Sequence, residues 1–72
     1  DELSVREHMT RILRRLASGI YVEFSELFNP LAGVPELVVS FLAILELAKE
    51  TLVQITQNEP FAPIYVKRAG SQ

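Results

Sequence analysis

Seventy-two residues bury only about 60% of their unfolded surface on folding, so the chain supports one small hydrophobic core and not two. With 49% hydrophobic and 22% charged residues and no cysteine, the composition excludes intrinsic disorder, disulfide staples, thiolate zinc sites and a cysteine nucleophile, and it suits a reducing compartment. Seven Lys and Arg against nine Asp and Glu leave a net charge of -2, which argues against a module whose affinity comes from neutralising phosphates.

No apolar run approaches the roughly 18 residues that span a bilayer, and the acidic start is unlike the basic start of a signal peptide. The expectation is a soluble, cytoplasmic protein that does not touch membrane. Because the sequence lacks an initiator Met and opens directly into a helix signal, residues 1–72 read as a single domain from a longer polypeptide.

Ser4-Val5-Arg6-Glu7 has the S-x-x-E spacing of a capping box, in which the hydroxyl and the carboxylate each satisfy an orphan backbone N–H. In the helix that follows, Val5, Met9, Ile12, Leu13 and Leu16 fall in one stripe, while Glu7, Thr10, Arg11 and Arg14 fall opposite. Glu7 stands four residues before Arg11, the favourable order for an ion pair. Ser18-Gly19 ends the helix, since glycine takes the left-handed conformation that closes a last turn. Ile20 to Phe24 is short, β-branched and aromatic, which suits a minor strand.

Ser25 can cap a second, short helix over Glu26 to Phe28 or a little beyond, and Asn29-Pro30 stops it because a residue before proline avoids the α region. Gly33 and Val34 read as a turn, and Pro35 suits the first position of a third helix that runs to about Glu50. Val53 to Gln57 and Ile64 to Lys67 alternate apolar with polar and predict a hairpin, its tip stiffened by Pro60 and Pro63. Ala69 to Gln72 read as a frayed end. The order helix, strand, helix, helix, strand, strand is the α+β winged-helix arrangement: three helices on a small antiparallel sheet, the last hairpin forming the wing.

The third helix carries the functional information. A helix that reads DNA presents Arg, Lys, Asn or Gln to base edges, whereas this one offers Glu36, Glu46 and Glu50 against Lys49 alone, so a polyanion is repelled. Its apolar residues cover an arc of roughly 220°, well beyond the ~100° that a one-sided helix needs. The side near Leu37, Ile44, Leu47 and Ala48 can pack on the first helix and the sheet. The other side, near Val38, Phe41, Leu42 and Leu45, then needs cover from the second helix, the wing or another protein. Phe61, on the stiff hairpin tip, either anchors a partner or tucks back under the wing.

Chemistry is otherwise scarce. His8 is the only histidine, at the margin of the first helix's apolar stripe, with no second His or Cys to complete a metal site. Glu23 and Glu26 make no acid/base pair without a pocket, and Gly19, Gly33 and Gly70 form no phosphate loop. The reading assigns no catalytic residue, cofactor or metal.

The segments Val22-Glu23-Phe24-Ser25-Glu26-Leu27-Phe28, Phe41-Leu42-Ala43-Ile44-Leu45-Glu46-Leu47 and Gln57-Asn58-Glu59-Pro60-Phe61, followed by Ile64-Tyr65-Val66, carry a resemblance over about Met9 to Arg68. Together they resemble the C-terminal winged-helix domain of bacterial segregation and condensation protein A, the kleisin of the bacterial condensin. That resemblance implies a non-enzymatic connector that docks on the ATPase head of an SMC subunit and helps close a ring for chromosome condensation and segregation at the nucleoid. It implies docking through Phe41 and Leu45 with their neighbours Val38 and Leu42, and more loosely through Phe61. A companion, protein B, is expected to bind a part of the polypeptide outside this chain. The alternative is a DNA-binding winged helix of a transcription regulator, with arginines of the first helix or the wing on phosphates.

Overall fold

The computed structural model describes residues 4–70. Two α-helices, α1 (Val5–Arg15) and α2 (Val34–Lys49), pack on a three-stranded antiparallel sheet of β1 (Val22–Glu23), β2 (Val53–Gln57) and β3 (Ile64–Arg68) in the order β1-β3-β2. The architecture is α+β. Ser71 and Gln72, part of the expected frayed end, lie outside the described residues.

Helix α1 starts at its expected cap, with the serine half of the capping box formed and no bond from the Glu7 carboxylate back to the Ser4 amide. Ser4 is extended, and the Glu7 amide donates to its Oγ at 3.1 Å. Arg14 and Arg15 occupy the last turn, where cations complement the helix dipole. Gly19, at φ +82°, donates its amide to the Leu16 carbonyl at 3.1 Å. The Glu7–Arg11 pair suggested by spacing is not formed: the one close contact between a basic and an acidic side chain among the described residues joins His8 and Glu36.

The second short helix expected from Glu26 to Phe28 is not an α-helix: two 3-10 turns, Phe24–Leu27 and Pro30–Ala32, stand in its place. Nucleating an α-helix fixes several residues for one hydrogen bond, and Asn29, held extended before Pro30, divides a segment already too short for it. Asn29 Oδ1 instead accepts from the Leu31 amide at 2.9 Å. The described residues therefore hold two α-helices rather than three. The expected strand Ile20 to Phe24 contracts to Val22–Glu23, and Ile20 is exposed.

Gly33, at φ +92°, precedes α2 without a side-chain cap, so the helix begins at Val34, one residue before the expected start. Its far end is a Schellman arrangement: the Leu52 amide donates to the Leu47 carbonyl at 2.8 Å and the Thr51 amide to that of Ala48 at 2.9 Å, with Thr51 at φ +59°. Glycine ordinarily fills that left-handed position.

The hairpin appears where the alternation placed it, with β3 extended to Arg68 and the register Val53↔Arg68 to Gln57↔Ile64. Val66 pairs with both Val22 and Ile55 and is fully buried. It joins Ile12, Leu16, Leu27, Ala43, Ile44, Leu47 and Val53 in one core. Small, fully buried Ser40 and Ala43 share the stripe of α2 that carries Glu36, and they let α1 approach closely.

The strained cap gives a test. A β-branched residue at positive φ costs about 1–2 kcal/mol, partly offset in a glycine variant by the larger chain entropy of its unfolded state. Thr51→Gly should raise stability by about 1 kcal/mol, read as a higher urea midpoint at unchanged slope; a lower midpoint would show that the threonine is held there without strain.

Candidate functional site

At 100° per residue, the side chains of α2 fall into two opposed apolar stripes. Val39, Ser40, Ala43, Ile44 and Leu47 face inward and are buried. Val34, Leu37, Val38, Phe41, Leu42 and Leu45 occupy the opposite arc of about 140° and are exposed. Between Val34 and Leu45 this outer arc contains no polar side chain, and the first one met along it is Lys49. It presents on the order of 500 Å² of apolar surface, a size that marks contact sites on soluble proteins.

The four helix positions singled out from the sequence thus lie together on one face: Val38, Phe41, Leu42 and Leu45 are 49%, 43%, 47% and 45% exposed. Neither the 3-10 turns nor the hairpin covers them. Phe41 alone has an intramolecular aromatic neighbour, meeting Phe24 edge-on at 5.9 Å between centroids, and Phe24 packs in turn on Phe28 at 5.2 Å. This ladder fixes the Phe41 ring while leaving one side of it open, which lowers the entropy lost when a partner covers it.

Two expectations about α2 need correction. Leu37, expected on the core side, lies at the edge of the outer arc. Glu36, counted among the charges that repel a polyanion, turns inward: its Oε1 lies 3.1 Å from His8 Nε2. The opposite ring nitrogen, Nδ1, lies 2.8 Å from the Ser4 carbonyl oxygen and must carry a proton, since a carbonyl only accepts. His8 is therefore a buried strut between α1 and the first turn of α2. From Val34 to Leu45 the outer face is uncharged, so what disqualifies that stretch as a DNA reader is its lack of any side-chain hydrogen-bond donor.

Phe61 stands apart from the helix face. It sits at the hairpin tip with φ +68° and is 102% exposed, so of its two expected placements the projecting one is realised. The tip is braced by the Ala62 amide donating to the Glu59 carbonyl at 3.0 Å and by Gln57 Nε2 donating to the Ala62 carbonyl at 2.7 Å. Tyr65, on the opposite face of β3 from buried Val66, is partly exposed. The sequence reading missed Val34, 68% exposed, and Leu31, 92% exposed in the second 3-10 turn. The available signal for Val34 was its spacing, four residues before Val38.

Among the described residues, no three His, Asp or Glu side chains converge as metal ligands, and no helix is long and apolar enough to cross a membrane. The sequence model of the family described as Segregation and condensation protein ScpA matches residues 1–69. The chain belongs to that family. It is 46% identical over 67 residues to Segregation and condensation protein A of Xylella fastidiosa, covering 93% of this chain and 22% of that protein. It is 40% identical over 72 residues to the protein of that name from Brevibacillus brevis, covering 100% of this chain and 28% of the relative. For the relative from Coxiella burnetii the identity is 36% over 70 residues, covering 97% of this chain and 26% of the relative. The chain spans about a quarter of the length of these relatives.

The two stripes predict opposite responses to truncation. Ile44→Ala should cost 2–5 kcal/mol, as large-to-small changes in a packed core do. Leu45→Gln and Val38→Thr should each change stability by less than about 1 kcal/mol. Urea midpoints of the three variants check this; a loss at Leu45 equal to that at Ile44 would place the outer stripe in the core.

Proposed function

We propose that the chain is a winged-helix domain, the C-terminal part of a segregation and condensation protein A, and that it docks on the ATPase head of an SMC subunit through the outer face of α2. In this reading the domain performs no catalysis and needs no cofactor. It is a connector that helps close the condensin ring, and so serves chromosome condensation and segregation in the cytoplasm at the nucleoid. Companion protein B engages a part of the protein outside this chain. The winged-helix reading rests on the projecting β2–β3 hairpin and on the 3-10 turns standing where a second helix would lie.

The observation that carries the proposal is the apolar, uncharged arc of Val34, Val38, Phe41, Leu42 and Leu45 left exposed by a folded domain. Covering it removes on the order of 500 Å² of apolar surface, which at ~25 cal/mol/Å² contributes roughly 12 kcal/mol before the costs of association. A standard interface takes about 800 Å² from each partner, so α2 needs a second contact. Phe61, on the braced hairpin tip, supplies one. Membership of the family named for segregation and condensation supports the same reading.

Leu45→Arg places a guanidinium at the centre of the face. It should leave the fold intact and weaken binding to a purified SMC head at least 100-fold, because the interface would bury an unpaired charge. Circular dichroism checks the fold and calorimetric titration checks the affinity; a folded variant that binds at full strength would remove α2 from the interface. DNA affinity of the wild-type chain that falls by several powers of salt concentration would favour the transcription-regulator alternative.

A further inference from the structure

Helix α1 carries a second surface, which the docking face of α2 does not use. A cleft of about 360 Å³ opens beside α1, lined by His8, Arg11, Ile12, Arg14, Arg15 and Leu27. Its size lies at the lower end of the range for ligand pockets, enough for one large side chain. Its buried lining is apolar Ile12 and Leu27, which are 2% and 9% exposed and belong to the core, with the buried ring of His8 beside them. The rim is basic, formed by the three arginines.

Those arginines have no carboxylate partner among the described residues. Among the described residues the single contact of a basic with an acidic side chain is His8–Glu36, although Glu7 lies one turn before Arg11 on α1 and Glu26 and Glu36 line the adjoining depression with Arg11 and Arg15. In a chain of net charge -2, three guanidiniums around one opening are a local concentration of the minority charge. The helix dipole accounts for Arg14 and Arg15 in the last turn but not for Arg11, two turns from the helix start, nor for the cleft.

We infer that this cleft docks an acidic segment of a partner polypeptide, one apolar side chain seated on Ile12 and Leu27 and flanking carboxylates paired with Arg11, Arg14 and Arg15. The apolar part of the lining decides against a duplex: phosphates would gain from the rim and nothing from Ile12 and Leu27, whereas an acidic peptide with an apolar anchor uses both. Guanidiniums suit carboxylates because their planar fork donates two parallel hydrogen bonds to the two carboxylate oxygens. The site lies on α1, on residues the α2 docking face does not include, so it stands or falls independently of the proposed SMC contact.

The test uses the whole chain and a short fluorescein-labelled peptide of glutamates and aspartates around a central leucine, followed by fluorescence anisotropy. Binding should weaken at least 10-fold in Arg11→Glu/Arg15→Glu, which keeps the fold because both positions are exposed. It should weaken by a similar factor when the peptide's leucine becomes serine, and persist in Leu45→Arg. Amide shifts on titration should cluster on α1 and the first 3-10 turn. The inference is overturned by any of four results: no binding to the wild-type chain, indifference to the central leucine, shifts confined to α2, or a short DNA duplex that binds more tightly than the peptide with the same arginine dependence.

Discussion

The packing of α2 against α1 and the sheet is the contact on which the rest of the domain depends. Val39, Ser40, Ala43, Ile44 and Leu47 give α2 a buried inner stripe, which meets Ile12 and Leu16 of the α1 segment and Val53 and Val66 of the hairpin. The same helix is apolar on its opposite side. A chain of 72 residues with one other helix and three short strands has too little material to enclose a helix from both directions, so one stripe is left outside.

Local geometry fixes which stripe that is. Gly33 at φ +92° and Thr51 at φ +59° bracket α2 and turn the chain sharply at each end, while the His8–Glu36 contact sets the rotation of its first turn against α1. With Glu36 held inward, Val34, Val38, Phe41 and Leu45 face out. The Phe28–Phe24–Phe41 ladder then ties the first 3-10 turn to one edge of the face. The arginines of α1 lie outside this arrangement, and so the domain presents a neutral greasy surface on one helix and a basic one on the other.

Much of this was legible in the sequence because it follows from periodicity and caps. The Ser4 cap, the stripe on α1, the hairpin from Val53 to Arg68 and the surplus apolar arc of the long helix all answer to spacing alone. What was not legible is the type of helix in the short middle segment and whatever depends on tertiary competition. Asn29-Pro30 breaks the second helix into 3-10 turns because neither half has enough residues to repay nucleation. Glu36 counts as an exposed acid until His8 is seen to claim it, Leu37 changes sides with a rotation of the helix too small for a helical wheel to fix, and Val34, read as a turn residue, becomes the first residue of α2. Whether Phe61 tucks or projects was likewise undecided by its prolines; the braced tip and the positive φ decide it.

The central claim is that the outer stripe of α2 is exposed in the free domain and buried against a partner protein. The chain has no cysteine, so a thiol placed at Phe41→Cys reports that stripe alone, and one at exposed Thr10→Cys reports the far side of α1. Both should react readily with a maleimide in the free protein. In complex with an SMC head, the thiol at position 41 should become protected while that at position 10 reacts at its free rate. Equal labelling at position 41 with and without a bound head would contradict the account.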